Sequence, residues 1–250
     1  MNKNDLLTIG YSTLADRASD IKFLKDVKNL VVVQNPEKIS LPDFAPDVSV
    51  FELNNRGVTK SRNTVLASTD TKYLLFGDDD ISFDTDGIDA ALTFLEQNLD
   101  ISILLLQAVD ESGKLRKHYP QSAHALKLTN SAKAATYELI VRVADIKAAG
   151  VDFDEEFGAG AKNYLGDEYI FIADALRAGL KGKFLPITIA VHPAESSGSI
   201  KNTREDIRAR SKIFGRVFGI WAPIMRALFI LKPPTKKFGF NKSLLFIIGK

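Results

Sequence analysis

Apolar and polar positions fall along this chain in blocks of two kinds. Short runs rich in β-branched and aliphatic residues read as strands: LLTIG at 6–10, LVVVQ at 30–34, VSVFEL at 48–53, KYLLF at 72–76 and ISILLLQ at 101–107. Between them lie stretches with helical spacing, one reaching to about Val27, one from about Val58 and one near 87–97. Later, DEYIFIADALRAG predicts a helix from Asp167, and PITIAV at 186–191 a further strand. Runs that are apolar at successive positions, not at every second one, belong to strands covered on both faces. The alternation therefore predicts an α/β fold with a mixed, mostly parallel sheet between layers of helices. Open sheets of this kind collect ligands at the carboxyl ends of their strands. No internal repeat or low-complexity segment appears. ESSGS at 195–199 marks the expected boundary between a body, residues 1–200, and a helical extension, residues 201–250.

One of those carboxyl ends carries an electrostatic problem. In FGDDDISF, 76–83, three carboxylates follow the strand directly. Adjacent like charges repel, so solvent must screen them or a cation must neutralise them. Alternation in an extended backbone puts Asp78 and Asp80 on one side and Asp79 on the other. Two converging carboxylates make a hard-oxygen site for Mg²⁺ or Mn²⁺ that leaves coordination places for substrate phosphates. The plainer reading is a solvated acidic turn ahead of the helix near Asp86.

Composition adds boundaries. At 250 residues, 45% hydrophobic and 26% charged, the chain suits one large globular domain. The absence of cysteine excludes a disulfide framework and a thiolate metal site, and makes a reducing cytoplasm the expected home. The stretch MNKNDLLTIG lacks the pattern of a secretory signal, and no uninterrupted apolar run reaches the roughly 18 residues of a membrane span. Charge is divided unevenly: from Lys201 onward stand twelve Lys or Arg against two acids, Glu205 and Asp206, leaving 21 basic against 29 acidic residues before it. An acidic body suits cation-assisted chemistry, and a basic extension suits an anionic surface.

Further motifs decide between the readings of the aspartates. NNRGVTKSRNTVLAS, 54–68, resembles the segment that precedes the D-x-D strand in family 2 glycosyltransferases of the GT-A fold. ELIVRVADIKAAGVDFDEEFGAG, 138–160, resembles that family's segment ending in F-D-E-x-F, and YLGDEYIFIADALRAGLKGKFLPITIAVHPAESSG, 164–198, its G-E-D and V-x-H block. Four landmarks thus stand in the family's order across residues 50–200.

The resemblance implies a GT-A three-layer sandwich and an inverting, metal-dependent transferase using a nucleotide-diphosphate sugar, with a UDP-sugar favoured. By it, Asp78, Asp80 and His192 would hold Mn²⁺ or Mg²⁺. Asp78, Asp79 and Arg62 would contact the donor; apart from the resemblance, Tyr11 at the end of the first strand is expected to stack on the base and the small-residue loop at Gly160 to approach the sugar. Arg62, near the start of a helix, would meet the diphosphate or pair with the acidic cluster. Inversion needs a base for the acceptor hydroxyl. Here the family's Glu-Asp reads Asp167-Glu168, which assigns Glu168 as base and Asp167 to an acceptor hydroxyl, with the reverse left open. Where many members carry Asp-Asp-Gly-Ser to read the nucleobase, this chain offers Gln34, Asn35 and Glu37. Two other functions stand beside this one: a sugar-nucleotide pyrophosphorylase, for which GYSTLADR is a poor phosphate loop, and a sugar-binding homologue without catalysis.

The extension mixes apolar clusters with Arg216, Arg226, Lys232, Lys236, Lys237 and Lys242. Such a segment lies in the interface of an anionic leaflet or packs on the body, and the two coexist. Its apolar excess disfavours nucleic acid. Attachment at the inner face of the membrane would bring the enzyme to a glycan or lipid-linked acceptor, as in surface polysaccharide assembly.

Overall fold

The computed structural model describes residues 3–193, 203–231 and 239–249. The expected boundary at 195–199 and residues Lys232, Lys236 and Lys237 lie outside the described residues.

Among the described residues nine strands form one sheet: β1 Leu7–Leu14, β2 Lys28–Gln34, β3 Val48–Leu53, β4 Tyr73–Asp78, β5 Ser82–Phe83, β6 Ile103–Val109, β7 His124–Ala125, β8 Leu139–Arg142 and β9 Gly182–Val191. Their order is β3-β2-β1-β4-β8-β6-β9-β5, with β7 also on β9. β1, β2, β3 and β4 pair in parallel, as do β6 and β9; the short β5, β7 and β8 run antiparallel to their neighbours. Eight α-helices complete the described chain: α1 Lys3–Leu6, α2 Val58–Ser68, α3 Thr85–Gln97, α4 Val143–Ala148, α5 Asp167–Arg177, α6 Arg204–Phe218, α7 Ala222–Leu231 and α8 Phe240–Ile248.

Period-two alternation sorts the strand side chains onto two cores. Leu7, Ile9, Val31, Val33 and Leu75 face α3, meeting Ile88, Ala91 and Leu95. Leu30, Val32, Leu74, Phe76 and Ile103 face the other way, against Val65 of α2, Ile146 of α4 and Phe171 of α5. Helices therefore cover both faces, as the apolar runs predict. Close approach depends on missing side chains: a Cβ on Gly10 would lie 2.1 Å from Val65 Cγ1 of α2.

The segment expected to be helical up to Val27 is not. Residues Ala15–Asp20 form only a 3₁₀ turn, and Asp26 takes a positive φ of 63°, which no helix accommodates. Ile21 and Val27 are buried there as loop residues.

The extension docks on the body. Ile213 and Val217 of α6 join Tyr169, Ile170 and Ala173 of α5 in a third apolar cluster. By length and composition Arg204–Leu231 would suffice to cross a bilayer. It is instead a hairpin, broken at Gly219 with φ 53°. α7 turns back onto α6, so that Phe229 meets Phe214 and Arg226 donates to the Ser211 carbonyl at 2.7 Å.

Candidate active site

Asp78 ends β4, beside Ser12 of β1. The turn after β3 starts α2, which carries Arg62 beneath the same strand ends. Arg62 is 5% exposed, and its guanidinium is shared among three carboxylates. Nη2 donates to Asp78 Oδ1 at 3.1 Å, Nη1 donates to Asp167 Oδ2, and Nη1 lies 3.9 Å from Glu168 Oε1. Burial alone would favour the neutral guanidine. The charges of Asp167, Asp78 and Glu168 outweigh it and hold Arg62 above its ordinary range. Phe153 packs 5.8 Å from the guanidinium carbon, and Asn63 pins the Phe153 backbone with bonds of 3.0 and 2.8 Å.

Asp167 and Glu168 open α5, where the unpaired N–H groups and helix dipole favour negative charge. Gly166, just before them, has φ 96°, and a Cβ there would stand 2.3 Å from Ile213 of α6. The extension thus backs the acidic pair directly. Asp167 is 3% exposed and bound to Arg62 through Oδ2, whereas the Glu168 side chain keeps 22% of its surface open. Thr136 Oγ1 donates to Glu168 Oε1 at 2.9 Å. Burial, then the neighbouring charge of Asp167, pushes the Glu168 carboxyl up to about 7 despite Arg62 and Thr136.

The three aspartates take three directions. Asp78 goes to Arg62. Asp79 accepts from Thr13 Oγ1 at 2.7 Å, and Arg17 stands 4.0 Å away. Burial, with Asp78 and Asp80 on either side, raises the Asp79 carboxyl above its usual range. Asp80 is exposed toward His192, with Nε2 3.8 Å from Oδ2. His192 Nδ1 bonds the Pro193 carbonyl at 2.8 Å; a carbonyl only accepts, so Nδ1 carries the proton and a neutral ring keeps its lone pair on Nε2, facing Asp80. Tyr137 packs on the same ring, centroids 5.0 Å apart.

Several expectations are corrected by this arrangement. The ligand set Asp78, Asp80 and His192 does not converge: among the described residues no three His, Asp or Glu side chains gather for a metal, because Arg62 has claimed Asp78. Tyr11 cannot stack on a base. It is fully buried in the middle of β1, packs edge-on against Phe23 and Phe83, and bonds the Lys22 carbonyl at 3.3 Å. Asp79 braces the end of β1 and points away from the other two. Gly160 rests on the backbone of Gly57 at the start of α2, and Gly158, φ 97°, makes room for Asp167. That loop fits the protein to itself.

Beside these groups, over the ends of β1 and β2, lies a cleft of about 150 Å³ lined by Leu14, Asp16, Gln34, Glu37, Ile39 and Arg56. Gln34 also receives the Gly57 N–H at 2.6 Å, and Glu37 pairs with Arg56 at 2.6 Å. Asn35 is spent on the loop, bonding both backbone groups of Ile39. Sequence reasoning missed Thr136, Tyr137 and the Asp16 and Arg56 walls. Thr136 and Tyr137 belong to no motif; the antiparallel entry of β8 beside β4 brings them to the site.

The position of Glu168 has a measurable consequence. A carboxyl with a raised folded value keeps a proton that the unfolded chain releases, so stability is lost as pH rises from about 4.5 through 7. Replacing Glu168 by Gln removes that cost. The variant should match wild type near pH 4.5 and melt several degrees higher at pH 8, at about 2–4 °C per kcal/mol for a chain of this size. Thermal denaturation at the two pH values checks it.

Comparison with known proteins follows the same lines. The model of Glycosyl transferase family 2 matches residues 36–154. No curated protein matches the chain. The crystal structure of S. aureus TarS 1-349 superposes with a TM-score of 0.60 at 15% identity, covering 98% of this chain and 78% of that one. TarS 1-349 in complex with UDP gives 0.57 at 16% identity, covering 97% and 80%, and the complex with UDP-GlcNAc gives 0.55 at 16%, covering 98% and 79%. The resemblance to family 2 glycosyltransferases therefore holds, in sequence over residues 36–154 and in a GT-A fold over nearly the whole described chain.

Proposed function

We propose that this chain is an inverting glycosyltransferase that moves a sugar from a nucleotide-diphosphate sugar, a UDP-sugar by preference, to a hydroxyl of a glycan or lipid-linked acceptor. The observation that carries the reading is one buried guanidinium, Arg62, tying the strand-end Asp78 to Asp167 and the raised, partly open Glu168. The TarS complexes named for UDP and UDP-GlcNAc support this class of donor.

The parts divide by reach. The cleft over β1 and β2 is next to the β4 aspartates, an order that suits a nucleoside followed by its diphosphate. Asp80 and the Nε2 lone pair of His192 would hold a divalent cation, whose remaining coordination places suit phosphate oxygens. When bound, such an ion supplies positive charge against the departing diphosphate. Asp78, held by Arg62, is left to a donor hydroxyl. Glu168 takes the proton of the acceptor hydroxyl as its oxygen forms the new bond to the anomeric carbon; the bond from that carbon to the diphosphate breaks on the opposite face. Asp167 is buried and bound to Arg62 through Oδ2, whereas Glu168 keeps part of its side chain open, so the base is assigned to Glu168. Retention of the site's acids favours catalysis over a merely sugar-binding homologue.

The acceptor side of the proposal rests on the extension. After Asp206 the sequence contains no acid at all. Ile220 (88% exposed), Trp221, Ile224, Leu228, Leu231, Leu244 and Ile248 stand open to solvent on the turn, α7 and α8. Apolar side chains without acidic neighbours suit insertion into the interface of an anionic bilayer, with basic residues worth about 1 kcal/mol each near the headgroups. This supports a cytoplasmic enzyme attached peripherally at the inner face of the membrane, in surface glycan assembly.

Thermal stabilisation by a panel of nucleotide sugars tests the donor site. The right donor should stabilise with Mn²⁺ or Mg²⁺ and lose most of that effect in EDTA or in Asp80→Ala; equal stabilisation in all three rejects the cation site. Glu168→Gln should bind the donor and transfer sugar slower by a factor of about a hundred or more. For the surface, Trp221 is the chain's one tryptophan, so its emission reports insertion. Vesicles with phosphatidylglycerol should shift it to the blue, pure phosphatidylcholine much less, and Ile220→Glu with Ile224→Glu should abolish the shift; an unshifted wild type defeats attachment.

A further inference from the structure

Glu168 has two carboxylate oxygens, and the fold assigns one of them to the protein. Thr136 Oγ1 donates to Oε1 at 2.9 Å, and Thr136 itself is 1% exposed. It sits in the 3₁₀ turn Thr136–Glu138, which leads into β8 and so lies against the carboxyl end of β4. The turn is unusually well fastened. Glu138, 0% exposed, accepts from Lys117 Nζ at 2.7 Å, from the Tyr119 hydroxyl and from the Ala135 N–H at 3.2 Å. Tyr119 also receives the Ala108 N–H of β6 at 3.1 Å. Burial still holds the Glu138 carboxyl above its usual range, and the three donors oppose it; through Tyr119 they also tie the turn to β6, while β8 ties it to β4.

We infer that Thr136 is a positioning residue for the base: its hydroxyl orients the Glu168 carboxylate and sets the proton affinity at which that carboxylate works. The inference rests on Glu168 serving as base. A hydrogen bond donated to the ionised form favours that form. The other groups facing Glu168 are Asp167 on its own helix, which disfavours the charge, and Arg62 of α2, which favours it but is shared with Asp78 and Asp167. Glu168's own backbone N–H also favours the charge, and Thr136 is the neutral side-chain donor among these partners. It acts only on Glu168, whereas a change at Arg62 would disturb three acids at once. Serine keeps the hydroxyl and valine keeps the shape without it.

The test compares Thr136→Val and Thr136→Ser in the full chain. The acidic limb of kcat/KM should move up by about one pH unit in Thr136→Val, an approximately tenfold loss near pH 6 that shrinks to about twofold near pH 8 and all but vanishes by pH 9, and Thr136→Ser should follow wild type. A profile in Thr136→Val with the wild-type limb, lowered equally at all pH values or unchanged, overturns the inference. A second readout needs no turnover: the melting gap between wild type and Glu168→Gln, which opens near pH 4.5 in either background, should go on widening to higher pH and end larger when both carry Thr136→Val. If no nucleotide sugar is turned over by wild type, the transferase reading fails. The melting comparison then decides alone whether Thr136 tunes Glu168, and a gap of unchanged size and upper pH limit refutes it.

Discussion

A single buried cation organises this protein's site. Arg62 arrives on α2 from beneath the sheet, and the three carboxylates it meets come from two other elements, the end of β4 and the start of α5. Bringing Asp78, Asp167 and Glu168 together without it would set like charges against one another in a poorly solvated place. Removing the guanidinium from such a cluster typically costs about 3–5 kcal/mol, because the carboxylates are left buried and unpaired. The pairing is therefore a poor source of net stability and a strong source of specificity, since only one relative placement of α2, β4 and α5 satisfies every group.

That constraint also separates two acids that sequence places side by side. Asp167 has spent its charge on Arg62. Glu168, one residue on, is held by a threonine hydroxyl and lies 3.9 Å from the same Nη1 that bonds Asp167, and burial lifts it toward neutrality. One carboxylate is locked and the other is available to exchange a proton near physiological pH, which is how a pair of neighbouring acids acquires two roles. The basic extension takes part in this as well. Ile213 of α6 fills the space that Gly166 leaves open, and Arg216 of the same helix bonds Asp154 at 2.8 Å and Asp174 at 2.6 Å. The helix that backs the acidic pair is also the first arm of the hairpin with the exposed apolar surface, so the proposed attachment and the proposed base would share one element.

Much of the architecture was legible because strands covered on both faces leave continuous apolar runs, and those of β1, β2, β4 and β6 stand out. The helix expected before Val27 failed because its apolar residues, Ile21 and Val27, serve a buried loop in which Asp26 turns left-handed. At the site, the motifs placed Arg62, Asp78, Asp80, Asp167, Glu168 and His192 on elements that meet at the strand ends. Alternation did send Asp79 away from its neighbours. It could not show that Arg62 takes Asp78, because that pairing depends on how deep α2 sits against the sheet. Tyr11 misled for a related reason: a residue near a strand end by sequence lies in mid-strand once β1 runs on to Leu14. Thr136 was invisible, since its role comes from an antiparallel strand inserted between β4 and β6.

The most direct test is a crystal structure of the protein with a nucleoside diphosphate sugar, a divalent cation and an unreactive acceptor analogue. The account predicts the nucleoside over the ends of β1 and β2, the diphosphate beside Asp80 and His192, and the Glu168 carboxylate facing the anomeric carbon from the side opposite the phosphate, with Arg62 still joining Asp78 to Asp167. A donor bound elsewhere, or a Glu168 turned away from the sugar with Arg62 swung out to another partner, would contradict it.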